Sequence, residues 1–432
     1  MKSIIPMFLG VMMSVFAIAQ NPFTELVDKK ADEIEAQVIT WRRHFHQNPE
    51  LSNREFETGK YIAKYMKELG LEVQTNVAHT GVVAILKGGK PGPVVALRAD
   101  IDGLPVEERV DLPFKSTVKT EFLGKKVGVM HACGHDTHIS MLMGAATILT
   151  GMKADLKGTV KFIFQPAEEG APQGEEGGAE LMVKEGVLKN PDAEVVFGLH
   201  ISSGIPVGEI HFKKGSFMAA QDRFKIKVKG AQAHGSAPWM GVDPIVTSAQ
   251  IIMGLQTIVS RQMPLTKQAA VITVGKIEGG VRNNIIPEEV TMIGTIRTLD
   301  LKMQDDIHKK MKRTVENIAE SAGATAELTI QRGYPVTSND PDLTGQMTPT
   351  LQRVAGIENV VLTRAVTGAE DFSFFAREIP GMFMFLGGKD TSPDAKSPPS
   401  HHTPDFFVDE KGMKLGVRTL VNLTLDYMEK RN

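Results

Sequence analysis

Hydrophobic positions in the first half of the chain follow two patterns, a helical repeat and short unbroken apolar runs. Residues 26–45, 54–69 and 138–149 repeat at helical spacing, and Gly70 is placed to end the second helix. Short apolar runs predict strands at residues 81–87, 94–97, 159–164 and 194–199. Apolar strands that alternate with helices favour an α/β fold, with a mostly parallel sheet covered by helices on both faces.

A different pattern begins near Phe217. Residues 224–229 alternate between apolar side chains and lysines, which is typical of a half-exposed strand. Helices are predicted at residues 243–260 and 303–322, and strands at residues 270–277, 290–299 and 325–331. This order, β-α-β-β-α-β, is the split βαβ arrangement with an antiparallel sheet. We therefore expect an inserted α+β domain at residues 217–333, between catalytic-domain parts at residues 20–216 and 334–432.

The α/β pattern resumes after the insertion. An apolar strand is predicted at residues 383–386, and an amphipathic helix at residues 409–428. Residues 390–404 are rich in Ser, Pro and His and predict a loop between them.

The N-terminal residues resemble a leader more than part of the fold. Lys2 precedes an apolar run over residues 4–16, and Ala17 and Ala19 fit the small-residue rule for cleavage. We expect a signal peptide at residues 1–19, cleaved near Ala19, and an exported protein that is periplasmic or secreted. The run is too short for a membrane span. The alternative is an uncleaved N-terminal anchor.

Charge and composition exclude several classes of partner. The net charge is −2 and no basic stripe with interleaved aromatic residues occurs, so nucleic acid is not an expected partner. No later stretch is long and apolar enough for a membrane span. With one cysteine the chain cannot form an intramolecular disulfide, so its stability must come from a buried core.

That cysteine lies in the most informative motif of the chain, HACGHD at residues 131–136. Cys133 is separated from His135 by one glycine, which lets the backbone turn tightly. A thiolate and an imidazole together suit a borderline-soft divalent ion such as zinc. A buried free cysteine is the alternative interpretation.

Four such motifs could build one metal centre. Besides Cys133 and His135, they comprise the adjacent Glu168 and Glu169 after one strand, His200 at the end of another, and a late loop pair, His401 and His402. In open α/β sheets, sites assemble at the carboxyl ends of strands, where all four motifs are expected to lie. Each motif alone could be structural, but their shared placement favours a metal site.

The number of candidate ligands indicates two ions. Cys133, His135, Glu169, His200 and one of the two late histidines make five ligands, and a thiolate can bridge two ions. Two ions would hold a water and lower its pKa towards neutrality. Glu168 is then free to take the proton of that water and return it to a leaving amine.

Five motifs give the chain a resemblance to the two-metal amidohydrolases, a family that includes hippurate hydrolase, indoleacetyl-amino-acid hydrolase and N-acyl-amino-acid deacylases, and is related to aminoacylase. They are ALRADIDGLP at residues 96–105, CGHD at 133–136, QPAEEG at 165–170, AEDF at 369–372 and HTPDF at 402–406. The resemblance runs in unbroken order from about Leu26 onwards.

The resemblance implies a role for each candidate. Cys133 is expected to bridge two divalent ions, zinc or manganese, with Glu168 as general acid and base. His135 and His200 are expected on one ion, with Glu169 and His402 on the other; His402 is chosen over His401 because it stands directly before Thr-Pro. Asp102 is either an orienting residue or part of a structural turn.

The inserted domain resembles the dimerisation lid of the same family. His234, in GAQAHG, is expected to reach the site of the partner subunit and stabilise the oxyanion. Asn284 and Arg297 match lid residues that hold the substrate carboxylate, for which arginine supplies a bidentate fork. The resemblance thus implies a homodimer.

The expected function is hydrolysis of the amide bond of N-acyl amino acids, hippurate-like or N-acetylated, through a water activated by two metal ions. A dipeptidase or carboxypeptidase that acts on short peptides is the alternative within enzymes. A non-catalytic binding protein on the same fold is the alternative outside them.

Overall fold

The computed structural model describes residues 22–393 and 397–430. The predicted leader and its cleavage position lie outside these residues. The helices of this part of the chain are α1 (Thr24–Gln47), α2 (Phe56–Glu68), α3 (His135–Gly151), α4 (Gly178–Lys184), α5 (Pro244–Gln262), α6 (Leu301–Ser321), α7 (Pro341–Ala355), α8 (Ser373–Glu378) and α9 (Met413–Lys430).

An eight-stranded sheet forms the centre of the larger part of the molecule. Its strands, in spatial order, are β1 (Glu72–Val77), β2 (Gly81–Lys87), β6 (Lys157–Gln165), β3 (Lys90–Asp100), β7 (Val195–Pro206), β18 (Gly381–Lys389), β8 (Ile210–Phe212) and β17 (Val360–Leu362). The central neighbours β6, β3, β7 and β18 are parallel, and β1 and β2 join antiparallel at one edge. Because β6, β3 and β7 are parallel, their carboxyl ends all lie at the same end of the sheet.

Helices cover both faces of this sheet, which confirms the predicted fold class. One face packs mainly against α1, α3 and α9, and the other against α4 and α8. Helix α3 is buried from His135 to Leu149, with only Thr147 partly exposed, because it lies between the sheet and the outer helices α1 and α9. Its almost continuous apolar sequence matches a helix enclosed on all sides.

A second sheet with its own core is built from the part of the chain that follows β8 and precedes α7. Its strands, in spatial order, are β12 (Ala270–Gly279), β14 (Glu289–Thr298), β10 (Ala220–Lys229) and β15 (Thr325–Arg332), all antiparallel. Helices α5 and α6 cover one face, each begun by an aspartate N-cap, Asp243 and Asp300. The predicted β-α-β-β-α-β order is confirmed. We call residues 220–332 the lid.

Three short ribbons complete the strands of the described residues. They are β4 (Lys119–Phe122) with β5 (Lys125–Gly128), β9 (Gly215–Met218) with β16 (Thr337–Asn339), and β11 (Ala233–His234) with β13 (Ile285–Ile286). The pair β9 and β16 lies where the chain enters and leaves the lid. No helix among the described residues is long and apolar enough to cross a bilayer.

Candidate metal centre and catalytic cleft

The turn that begins α3 brings Cys133 and His135 to the carboxyl ends of the central strands. Gly134 between them has a φ of 94°, in the left-handed region that favours glycine. A Cβ at this position would lie 2.5 Å from Cγ2 of Ile201, so the space is also closed to a larger residue. The glycine expected from the sequence is therefore required by both backbone and packing.

The Cys133 sulfur lies at the centre of the other predicted ligands. Its Sγ is 3.3 Å from Nε2 of His200 and 3.2 Å from Nε2 of His402. The His402 Nε2 is in turn 3.0 Å from Oε1 of Glu169. Burial, and then the negative charge of Glu169, raises the pKa of the thiol well above its usual value. A bound cation reverses this effect and stabilises the thiolate, so the donor set suits a metal.

His135 offers one ring nitrogen to the same space. Its Nδ1 is 2.9 Å from the carbonyl oxygen of Asp102, and a carbonyl can only accept, so Nδ1 carries the proton. Nε2 is buried and has no hydrogen-bond partner among the described residues. It lies 4.0 Å from Oε1 of Glu169 and 3.9 Å from Oε2 of Glu168. An unpartnered lone pair that faces two carboxylates fits a metal ligand.

The charge around His135 also favours a cation. Burial alone would lower the pKa of this imidazole, but Asp100 and Asp102 outweigh it and raise the pKa to about 10. The ring therefore lies in an excess of negative charge. A divalent ion would neutralise the same carboxylates.

His200 is oriented in the same way as His135. Its Nδ1 donates to the carbonyl oxygen of Ile201 at 2.6 Å, which leaves the Nε2 lone pair directed towards Cys133. Strand β7 does not end at His200, as the sequence predicted, but continues to Pro206. The pairing of β7 with β3 ends at Gly198, and this opens the strand to the site from His200 onwards.

A strained turn lets both adjacent glutamates face inwards. Ala167 has a φ of 54°, a costly conformation for a residue with a side chain. The backbone N–H of Glu169 donates to Oδ2 of Asp102 at 3.0 Å, and the carbonyl of Glu168 accepts from the Tyr334 hydroxyl at 2.6 Å. Asp102 thus holds both His135 and the glutamate turn, which favours an orienting role for it.

The Glu168 carboxyl is buried beside other acids. One carboxylate oxygen from each of Glu168, Glu370 and Asp371 lies within 4.8 Å of the other two. Burial, and then the charge of Glu370, raises the pKa of Glu168 well above its usual value. A carboxyl of this kind suits proton exchange near neutral pH.

Both late histidines face the sulfur. His401 places Nδ1 3.6 Å from Sγ of Cys133, but its Nε2 accepts the backbone N–H of Ser203 at 3.2 Å. His402, with a φ of 62°, contacts both Cys133 and Glu169 through Nε2. The geometry is therefore compatible with the predicted choice of His402.

Sequence reasoning missed a buried charge network behind Glu168. The Arg98 guanidinium bonds to Asp100 at 2.7 Å, Glu370 at 2.8 Å and Asp371 at 2.9 Å. His138 was missed as well: its Nδ1 is 2.5 Å from Asp100, and its Nε2 accepts the N–H of Ile201. The sequence did contain one signal of this network. Arg98 is a charged residue inside an apolar strand, and such a residue is rarely buried without partners.

A cleft of about 990 Å³ joins this centre to the lid. It is lined by Cys133, Glu168, Glu169, His200, His401 and His402, and by Arg223 and Arg297 of the lid. Arg297 is half-buried, and its pKa is lowered by burial and then by Arg223. The structure thus brings Arg297 to the same cleft as the predicted metal ligands.

The other two predicted lid residues do not reach this cleft. His234 and Asn284 are exposed and adjacent, where Gly235 donates to the carbonyl oxygen of Asn284 at 2.9 Å. The Nδ1 of His234 accepts from the Ser236 hydroxyl at 2.7 Å. Neither side chain lines the cleft of its own chain.

Comparisons with known proteins define the class. Residues 96–426 match the model of peptidase family M20/M25/M40. The chain is 43% identical to thermostable carboxypeptidase 2 of Saccharolobus solfataricus, over 94% of this chain and 100% of that protein. It is 40% identical to the N-acetyl-L-cysteine deacetylase of Bacillus subtilis, over 87% of this chain and 85% of that protein.

A solved structure gives the same result. The B. subtilis YXEP protein, a dinuclear metal-binding peptidase of the M20 family, superposes with a TM-score of 0.76 at 35% identity, covering 92% of this chain and 99% of that one. Fold, donor set and relatives together define a metal-dependent hydrolase of amide bonds. The chain belongs to peptidase family M20/M25/M40.

The comparisons also correct the prediction of export. Relatives such as the N-acetylcysteine deacetylase are cytosolic, so the prediction of a periplasmic or secreted enzyme is wrong. The prediction was based on one lysine, a short apolar run and two alanines, Ala17 and Ala19, that fit the cleavage rule. Runs of that length are equally typical of buried core helices, so the pattern does not define a leader.

Proposed function

We propose that this protein hydrolyses the amide bond of N-acyl amino acids. The observation that carries the proposal is a buried carboxylate, Glu168, beside a thiolate–imidazole–carboxylate donor set in a cleft that also holds an arginine of the lid. The deacetylase among the relatives acts, by its name, on an N-acetylated amino acid.

Five residues are proposed to hold two divalent ions, zinc or manganese, with Cys133 as the shared ligand. The other four are His135, Glu169, His200 and His402. Bound divalent ions would polarise the amide carbonyl and lower the pKa of water. The mixed sulfur, nitrogen and oxygen donors suit either metal better than calcium or magnesium.

The remaining steps belong to side chains. Glu168 takes a proton from the attacking water and returns it to the nitrogen of the leaving amino acid. Arg297 binds the carboxylate of that amino acid through its planar fork. His234 and Asn284 are proposed to act in the cleft of a second copy, since they are exposed and lie outside their own.

We further propose residues 217–333 as the dimerisation unit. Strand β12 is an edge strand of the lid sheet, with exposed Val271 and Ile277. The neighbouring helix α5 exposes Ile245, Val246 and Met253. An open strand edge beside an apolar helix surface favours pairing with a second copy.

A substrate comparison tests the proposal. We expect faster hydrolysis of hippurate or N-acetyl-L-methionine than of an unblocked dipeptide, measured side by side with zinc or manganese added. The reverse order would favour the alternative, a carboxypeptidase or dipeptidase, which the identity to a carboxypeptidase supports.

Metal analysis tests the non-catalytic alternative. We expect about two ions per chain, in keeping with a dinuclear centre, and loss of bound metal in Cys133→Ser. A wild-type chain that binds no divalent ion would contradict the proposed mechanism.

A further inference from the structure

The lid presents two arginines to the cleft on one face of its sheet. In the antiparallel register, Gln221 of β10 pairs with Arg297 of β14, and Arg223 pairs with Thr295. Residues at alternate positions share a face, so Arg223 and Arg297 are diagonal neighbours on the same side. Their side is opposite to that of Asp222 and Phe224, which are buried towards the lid helices.

Neither arginine has an acidic partner among the described residues within ion-pair distance. The nearest carboxylate along the chain, Asp222, lies on the other face and bonds to Gln304 and His308 of α6. The two guanidinium groups instead repel each other, since Arg223 contributes to the lowered pKa of Arg297. Such a pair is stabilised by an anion that contacts both members.

Outside the proposed metal centre, the other charged groups that line the cleft are paired with opposite charges. Glu175 bonds to Arg54 at 2.6 Å, and Glu176 to Lys184 at 2.7 Å. Arg332 is paired with Asp305. The unpaired charge on the lid side of the cleft is therefore positive and confined to Arg223 and Arg297, opposite the predicted metal ligands.

One arginine is enough for the single carboxylate of a neutral amino acid. We propose that Arg223 is a specificity-determining residue that, with Arg297, gives the cleft a preference for N-acyl derivatives of dicarboxylic amino acids. The inference rests on the proposed function. Arg297 binds the α-carboxylate, and Arg223 binds the second carboxylate one or two methylene groups beyond the α-carbon.

Two glutamines beside the arginines support this assignment. Gln331 of β15 pairs with Arg223, and both Gln331 and Gln221 line the cleft. These amides add neutral donors around the two guanidinium groups, and donors of this kind suit carboxylate oxygens. The lid residues that line the cleft thus offer N–H donors and include no carboxylate.

The test compares N-acetyl-L-glutamate with N-acetyl-L-glutamine, which has nearly the same shape without the second charge. We expect wild-type kcat/KM to be about fivefold to tenfold higher for the glutamate derivative, and the preference to fall with added salt. In Arg223→Gln the ratio of the two kcat/KM values should fall to about one. A general structural fault would lower both values and leave their ratio unchanged.

Lys225→Gln is the matched control. Lys225 is exposed on the same strand and the same face, but it does not line the cleft. This variant should keep the wild-type ratio. Calorimetric titration of N-acetyl-L-glutamate into Glu168→Gln should show weaker binding, by the same factor, when Arg223→Gln is added.

The outcomes separate this inference from the proposed function. Equal rates for the two compounds, or a preference that survives in Arg223→Gln, would overturn the inference alone. Failure to hydrolyse either compound or N-acetyl-L-methionine, in enzyme loaded with metal, would overturn the proposed function and the inference with it.

Discussion

At the scale of single residues, the site separates two glutamates that are adjacent in sequence. The turn at Ala167 directs both side chains inwards, Glu169 towards His402 and Glu168 towards Glu370 and Asp371. Adjacent residues on a strand would face opposite sides of the sheet. The left-handed turn thus places Glu169 where it can serve as the proposed ligand while Glu168 stays free for proton transfer.

Substitution of the two glutamates should separate their roles. Glu168→Gln should keep both metal ions while kcat falls by about 10²–10⁴-fold, because it removes a proton acceptor but no ligand. Glu169→Gln should lose metal and thermal stability together. Metal content by mass spectrometry and kcat for one acyl amino acid check both. Full metal in Glu169→Gln with loss of metal in Glu168→Gln would reverse the assignment.

Asp102 is expected to act through the residues that it holds. Its Oδ1 lies 3.1 Å from Nδ1 of His135, and its Oδ2 accepts from the Ser52 hydroxyl at 2.6 Å as well as from Glu169. Asp102→Asn should weaken metal binding by about 10- to 100-fold, measured by competition with a chelator. Asp155→Asn, at an exposed aspartate, is the control, and equal affinity in the two variants would assign Asp102 to the turn alone.

The sequence contained most of the donor residues but not the network that supports them. Cys133, His135 and the two glutamates are recognisable because each motif concentrates metal-binding or proton-transfer groups within a few positions. Arg98 and Glu370 are 272 positions apart, and only the folded chain shows their contact. Arg98 and Glu370 each lie in a recognised motif, but the spacing within a motif cannot indicate an ion-pair partner so far along the chain.

At the scale of secondary-structure elements, prediction succeeded where periodicity was uninterrupted. The lid helices α5 and α6 combine an aspartate N-cap with a clear apolar face. Helix α7 was missed because Gly345 and Pro349 interrupt its sequence; its own aspartate N-cap and its packing on α9 outweigh their cost. Strand β1 was missed because it is largely exposed and only Val73 and Val77 of its six residues are apolar.

The two lid residues that do not line their own cleft, His234 and Asn284, lie in and beside the ribbon of β11 and β13. His234 pairs with Ile285, next to Asn284, on an exposed surface. His234→Ala should keep its metal and lose about 10²–10³-fold in kcat, because the oxyanion of a partner's substrate loses a donor. Activity and metal content of the purified variant check this expectation.

Subunit mixing then shows on which chain His234 acts. Equal amounts of His234→Ala and Glu168→Gln, allowed to exchange subunits, should recover about a quarter of wild-type activity, since half of the dimers are hybrid and each has one complete site. No recovery after proven exchange would mean that His234 acts in its own subunit or outside catalysis.

At the scale of the whole molecule, two cores meet at one cleft. The core of the lid contains no residue of the central sheet, and every predicted metal ligand belongs to the larger part. Sequence alone predicted this division from the change of pattern near Phe217. It could not predict the cleft, because a cleft depends on how the two parts are placed.

Metal removal should therefore destabilise one part selectively. In scanning calorimetry, a chelator should lower the temperature of the larger unfolding transition by about 10 °C and leave that of the lid in place, since ligands stabilise only the unit that binds them. Cys133→Ser should show no further shift with chelator. An equal shift of both transitions would indicate that lid and sheet unfold together.

The order of the proposed ligands along the chain has a consequence for how each molecule matures. Cys133, His135, Glu169 and His200 are synthesised before the lid, whereas His402 and then α9, which packs against α1 and α3, are synthesised after it. A nascent chain that contains only the first four of these residues still lacks His402, and part of its core is still open to water. Under the proposed assignment, the ion shared by Glu169 and His402 can therefore gain its full set of ligands only after the ribosome has passed the lid.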